Sequence, residues 1–133
     1  MNDKKAIAWL WIIIFYTILT FALSGVANPP AFLVRKYRLD WWLHGIEYGI
    51  LAALMMKYFS YKYFINKEFH AGITTILFTG VVGGLNEALQ AYVPHRYPSI
   101  SDEIANLVGA VIFIGLYLVI RPVKTINNTI NNL

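Results

Sequence analysis

Acidic, amide and histidine side chains recur at helical spacing in three apolar segments of the chain. Spacings of three and four residues place side chains on one face of a helix, so each segment carries a polar stripe. Polar groups in apolar helices are costly to bury, and their placement therefore marks a candidate site. The stripes consist of Asp40, His44 and Glu47; of Glu87 and Gln90; and of Asp102 and Asn106.

The candidates for acid and base chemistry are His44, Glu87 and Asp40. His44 can exchange a proton near neutral pH, and Asp40, one helical turn away, can orient its ring. A bilayer disfavours the charged form of Glu87, which makes this residue a candidate proton carrier. The alternative for His44 is a histidine that is only hydrogen-bonded inside a helix bundle.

A loop with two prolines supplies the main candidate for binding an anionic group. Arg96 lies between Pro94 and Pro98, and its planar guanidinium suits a phosphate or carboxylate. A contact with a lipid headgroup, or a salt bridge with Asp102, explains Arg96 equally well. Ser99 is a candidate nucleophile only by exposure. The full set of predicted substrate-binding residues is Arg96, Gln90, Asp102, Asn106, Glu47 and Ser99.

No metal or cofactor is predicted from the sequence. The polar stripes contain nitrogen and oxygen ligands, but their spacing matches no recognised metal motif. The chain has no cysteine, which excludes disulfides, thiol nucleophiles and thiolate metal sites. It also lacks a Walker loop, a dinucleotide fingerprint, a nucleophile elbow and an HExxH motif.

The composition predicts that membrane helices position these residues. Of 133 residues, 58% are hydrophobic and 14% charged, too few polar side chains to cover a soluble globule. We expect an all-α, polytopic membrane protein with four transmembrane helices in an antiparallel bundle. A cleaved signal peptide is the alternative for the first segment, whose apolar run is longer than usual. The predicted spans are about 6–25, 41–57, 71–93 and 102–121, within a single domain 1–124 followed by a polar tail 125–133.

The basic residues predict the orientation of these helices. Seven of the eleven Lys and Arg residues fall on the side of both termini, so we expect both termini in the cytoplasm. Because the charges are scattered at segment ends, membrane lipids are expected partners and nucleic acid is not. Glu47 and Glu87 would then lie about 8 Å from the outer helix ends, lining a shallow pocket open to the outside.

A purely structural polar cluster is the alternative to a functional pocket. In membrane bundles, buried amide and carboxyl groups form hydrogen bonds between helices, and each such bond contributes about 0.6–2 kcal/mol. Glycines allow close helix packing without the cost of burying polar groups. Gly80 and Gly84 have the GxxxG spacing, and Gly83, Gly84, Gly109 and Gly115 are interpreted as packing residues.

The residues from Glu87 to Gly109 resemble the signature of VanZ-like membrane proteins. The matching pattern is Glu87-x-x-Gln90, Pro94-x-Arg96-x-x-Ser99-x-x-Asp102-x-x-x-Asn106-x-x-Gly109, with Asp40-x-x-x-His44 and Tyr48 similar to the upstream element. The lysine that usually follows the aspartate in this family is Trp41 here. The resemblance implies a protein of the bacterial cytoplasmic membrane, associated with low-level resistance to teicoplanin-type glycopeptides.

Two functional hypotheses follow. In the first, the four-helix bundle binds or acts on a cell-envelope amphiphile: a membrane lipid, a lipid-linked wall precursor or a lipoglycopeptide. Both an enzyme and a binding protein are compatible with this hypothesis. In the second, the polar cluster only joins the helices, and a non-catalytic module recruits a partner. A transporter is less favoured because the cluster is shallow, and an oligomer is compatible with all of these hypotheses.

Overall fold

The protein is a bundle of four helices in a computed structural model that describes residues 3–26, 39–93 and 98–120. Every regular element in these ranges is an α-helix, so the all-α prediction is confirmed. Arg96, its neighbours 94–97 and the tail 125–133 lie outside the described residues. The helices are α1 (Asp3–Val26), α2 (Leu39–Lys62), α3 (Glu68–Gln90) and α4 (Ile100–Ile120).

Three of the helices are long and apolar enough to cross a membrane. These are α1 over Asp3–Ser24, α3 and α4. Helix α2 is equally long at 24 residues but carries Asp40, His44 and Glu47 in its first half. Large apolar side chains cover the outside of the bundle; Phe15, for example, is 69% exposed. Such a surface is typical of a protein whose flanks face lipid.

Helix α2 extends one turn beyond its predicted end at residue 57, because its lysines find partners along the bundle. The Nζ atom of Lys57 lies 4.1 Å from the ring centroid of Trp9 on α1. Lys62, in the last turn of α2, pairs with Asp3 at 2.8 Å between Nζ and Oδ1. The charge on Lys57 therefore does not end this helix.

Consecutive helices run antiparallel. Asp3 at the start of α1 meets Lys62 at the end of α2, and Ser24 at the end of α1 meets Gln90 at the end of α3. Helix α1 packs against α2 and α3, and among the described residues it makes no close approach to α4. The bundle thus has an end where α1 and α3 finish and α2 and α4 begin.

The closest helix pair is α2 with α4, which run parallel. A Cβ atom on Gly109 would overlap the backbone carbonyl of Gly45, and one on Gly49 would overlap the ring of Phe113. Glycines at these positions let the two backbones approach where any side chain would separate them. The interpretation of Gly109 as a packing residue is confirmed.

Two of the predicted packing glycines do not pack. No described atom lies within 4 Å of the Cβ that alanine would add at Gly84 or Gly115. Both are exposed on the outer surface of the bundle. Of the GxxxG pair, a Cβ on Gly80 would lie 3.3 Å from Leu107 on α4, whereas Gly84 meets no described atom, so the packing interpretation fails for Gly84 and not for Gly80.

Apolar contacts hold the rest of the bundle. One buried cluster joins α1 to α2 through Ala6, Ile13, Tyr48, Leu51, Met55 and Tyr58. A second joins α2, α3 and α4 through Ala52, Met56, Ala71, Ala110 and Ile114. Neither cluster includes residues from the first turns of α2 and α4. At the end of the bundle where these two helices begin, the buried side chains are polar.

Candidate functional site

Polar side chains from all four helices gather where α1 and α3 finish and α2 and α4 begin. We call this group the polar end. The three stripes seen in the sequence contribute to it, together with residues that the sequence analysis did not select. Its members are Ser24 on α1; Asp40 and His44 on α2; Asn86, Glu87 and Gln90 on α3; and Asp102, Glu103 and Asn106 on α4, with Ser99 directly before α4.

A serine and two amides tie α1 to α3. The hydroxyl oxygen of Ser24 accepts hydrogen bonds from Asn86 Nδ2, at 3.0 Å, and from Gln90 Nε2. All three side chains are buried. Gln90 was predicted to bind substrate, whereas Ser24 and Asn86 were missed. Asn86 gave a usable signal as an amide in an apolar segment, but a single hydroxyl near the end of α1 gave none.

Glu87 binds the backbone of the residue directly before α4. Its Oε2 atom accepts a hydrogen bond from the backbone N–H of Ser99 at 2.9 Å, and its Oε1 atom accepts a longer one from Gln90 at 3.4 Å. The residue is only 6% exposed. Both carboxylate oxygens therefore have partners, and Glu87 connects the end of α3 to the start of α4. Ser99 is half-buried there, and its role as a nucleophile stays a prediction.

An imidazole and two carboxylates form the second part of the polar end. The Nε2 atom of His44 lies 3.8 Å from Asp40 Oδ1, and ligand atoms of Asp40, His44 and Asp102 all lie within 4.8 Å of one another. His44 is 4% exposed, and its Nδ1 atom has no hydrogen-bond partner among the described residues. The parallel packing of α2 on α4 brings these three side chains together from distant parts of the chain.

Asn106 faces α3 rather than the His44 group. Its Nδ2 atom donates to Glu103 Oε2 at 3.0 Å, and both side chains pack over Gly83, where a Cβ would collide with them. Asn106 is fully buried. Glu103 was missed by the sequence analysis, although its spacing of three from Asn106 was available as a signal.

Glu47 lies on the side of α2 that faces α1. Its backbone carbonyl accepts a hydrogen bond from the Tyr16 hydroxyl at 3.1 Å, and the residue is half-buried. Arg96, the predicted anion-binding residue, lies outside the described residues. In the sequence, Arg96 precedes Ser99 by three residues.

The sequence matches the VanZ/LLP1 family over residues 5–121. The chain belongs to the VanZ/LLP1 family. The match covers nearly all of the four helices, the polar end and the loop with Arg96, so it includes every residue that carried the resemblance to VanZ-like proteins. Comparisons of this VanZ/LLP1 chain with curated proteins and with solved structures gave no match.

Proposed function

We propose that this VanZ/LLP1 protein binds the headgroup of a cell-envelope amphiphile at its polar end. The observation that supports the proposal is the convergence of Asp40, His44 and Asp102 beside a bundle surface that is otherwise apolar. An amphiphile has the same division, with a polar headgroup and apolar chains. Association of helices alone does not require an imidazole close to two carboxylates.

The ligand class in this proposal is a membrane lipid, a lipid-linked wall precursor or a lipoglycopeptide. Arg96, in the loop that leads to Ser99, would neutralise an anionic group on such a ligand. The distribution of Lys and Arg favours an outward-facing pocket in the bacterial cytoplasmic membrane with both termini inside. Binding or modifying an envelope amphiphile at the outer surface is the route by which the chain would confer teicoplanin resistance.

A non-catalytic role is favoured for one part of the polar end. Asn86 and Gln90 on α3 both donate to Ser24 on α1, as expected for side chains that hold a membrane bundle together. We therefore assign these three residues to helix association, and we assign ligand contact to the group around His44. The alternative proposal extends the structural role to the whole polar end and leaves the loop with Arg96 to recruit a partner.

The Arg96→Ala variant tests ligand binding. We expect the wild-type protein, purified in a mild detergent, to carry a defined anionic envelope lipid that the variant loses, because the alanine side chain cannot pair with an anionic group. Native mass spectrometry of the co-purifying lipids measures this. Arg121→Ala is the matched control, since Arg121 also adjoins a proline but lies after the last helix. Equal, unspecific lipid profiles in all three proteins would favour the alternative proposal.

The Glu87→Gln and His44→Asn variants separate proton transfer from helix association. Glu87→Gln keeps one oxygen that can accept from Ser99 but turns an NH2 group toward the Gln90 amide, and His44→Asn keeps a polar group in a smaller side chain. We therefore expect the folded protein to be retained, with a loss of about 1–2 kcal/mol. If the polar end performs acid or base chemistry, teicoplanin resistance conferred on a sensitive host should disappear in both variants. Glu68→Gln, at the opposite end of α3, is the control. Unchanged resistance in correctly folded variants would exclude the catalytic version.

A further inference from the structure

Three side chains of metal-ligand type meet where α2 begins against α4. Ligand atoms of Asp40, His44 and Asp102 lie within 4.8 Å of one another, although Asp102 is far from His44 along the chain. Among the described residues this is the group of histidine and acidic side chains close enough to share one ion. The sequence supplies these ligands but not their proximity, because no local spacing joins α2 to α4.

The environment of His44 supports metal binding by this group. The residue is 4% exposed, its Nδ1 atom has no partner among the described residues, and its Nε2 atom lies 3.8 Å from Asp40. That separation is too long for a hydrogen bond. Two ligands that share an ion at about 2.1 Å each, at a tetrahedral angle, are about 3.4 Å apart. A small side-chain movement would bring the pair to this distance.

We propose that Asp40, His44 and Asp102 bind a divalent transition-metal ion such as Zn²⁺ or Mn²⁺. One imidazole nitrogen and two carboxylate oxygens are a suitable donor set for these ions, and three protein ligands leave positions for water or a bound headgroup. Mg²⁺ prefers oxygen ligands alone and should bind more weakly. The proposal goes beyond headgroup binding, which does not require the ion.

The competing explanation is electrostatic. Asp40 and Asp102 both lie in the first turn of their helices, where an acidic side chain complements the partial positive charge of the helix end. Under that explanation the two carboxylates stabilise helix ends and no ion binds. Because the same residues are involved, only a direct measurement of metal binding distinguishes the two explanations.

The test is metal binding by the full chain, purified in detergent with a tag that contains no histidine and freed of metal by a chelator. We expect calorimetric titration with Zn²⁺, and elemental analysis after desalting, to give one ion per chain. His44→Ala and Asp102→Asn should weaken binding about tenfold or more. The matched controls are His70→Ala and Glu68→Gln, which change a histidine and an acid at the opposite end of the bundle. They should bind as the wild type does.

Three results would overturn the proposal: no stoichiometric binding of Zn²⁺ or Mn²⁺ by the wild type, binding retained in His44→Ala, or equal losses in the control variants. Should His44→Ala fail to fold, Asp40→Asn replaces it, since the Asp40 side chain is 33% exposed and its loss is easier to accommodate. Lipid profiles of metal-free protein keep the two proposals apart. A chain that retains its lipid but binds no ion would refute this inference alone.

Discussion

The Gly109→Ala variant is expected to lose about 3 kcal/mol of stability, because the added methyl group would overlap the backbone of Gly45. The backbone of a helix cannot move aside as the end of a side chain can. Helices α2 and α4 would have to separate along their closest contact, which also positions His44 next to Asp102. Thermal unfolding in detergent, followed by circular dichroism, measures the loss.

Variants of two other glycines serve as comparisons for the stability loss of Gly109→Ala. Gly83→Ala should cost less than Gly109→Ala, since the added Cβ would meet the ends of the Glu103 and Asn106 side chains, which can move. Gly115→Ala should be neutral or stabilising by up to about 1 kcal/mol, because no described atom lies within 4 Å and alanine favours a helix. Equal unfolding temperatures for Gly109→Ala and Gly115→Ala would contradict the close packing of α2 on α4.

The Ser24→Ala variant is expected to lose about 1–2 kcal/mol, the second largest effect. It removes the acceptor of two hydrogen bonds and leaves the amides of Asn86 and Gln90 without that partner in a buried position. Interhelical hydrogen bonds in membranes average about 0.6 kcal/mol each, and unpaired buried donors add to the cost. The free energy of unfolding in detergent is the quantity to measure.

Thr17→Ala is the matched control for Ser24→Ala. Thr17 lies on the same helix, but its hydroxyl donates to the carbonyl of Ile13 one turn earlier and joins no second helix, so its loss should be close to neutral. In a double-mutant cycle, Asn86→Ala should cost less in the Ser24→Ala background than in the wild type. Equal stability of Ser24→Ala and Thr17→Ala would mean that the hydrogen bonds of Ser24 do not help to hold α1 against α3.

Much of the candidate site was predictable because its stripes obey helical periodicity. The spacing of Asp40 and His44, or of Glu87 and Gln90, is enough to assign each pair to a shared helix face. Glu47 belongs to the same periodic stripe, yet it lies on the side of α2 that faces α1, where its backbone carbonyl accepts a hydrogen bond from Tyr16. Periodicity gives a face of a helix, whereas the neighbour that this face meets depends on how all four helices pack.

The sequence by itself determined the number and type of the helices, their membrane character, the family and the presence of polar stripes. These properties follow from local composition and from spacings within single segments. Only the tertiary structure decided that α2 and α4 are the closest pair, that Ser24 joins Asn86 and Gln90, and that Asp102 lies beside His44. Contacts between helices depend on packing at particular positions such as Gly45 and Gly109, and a glycine there has the same sequence signal as the exposed Gly115.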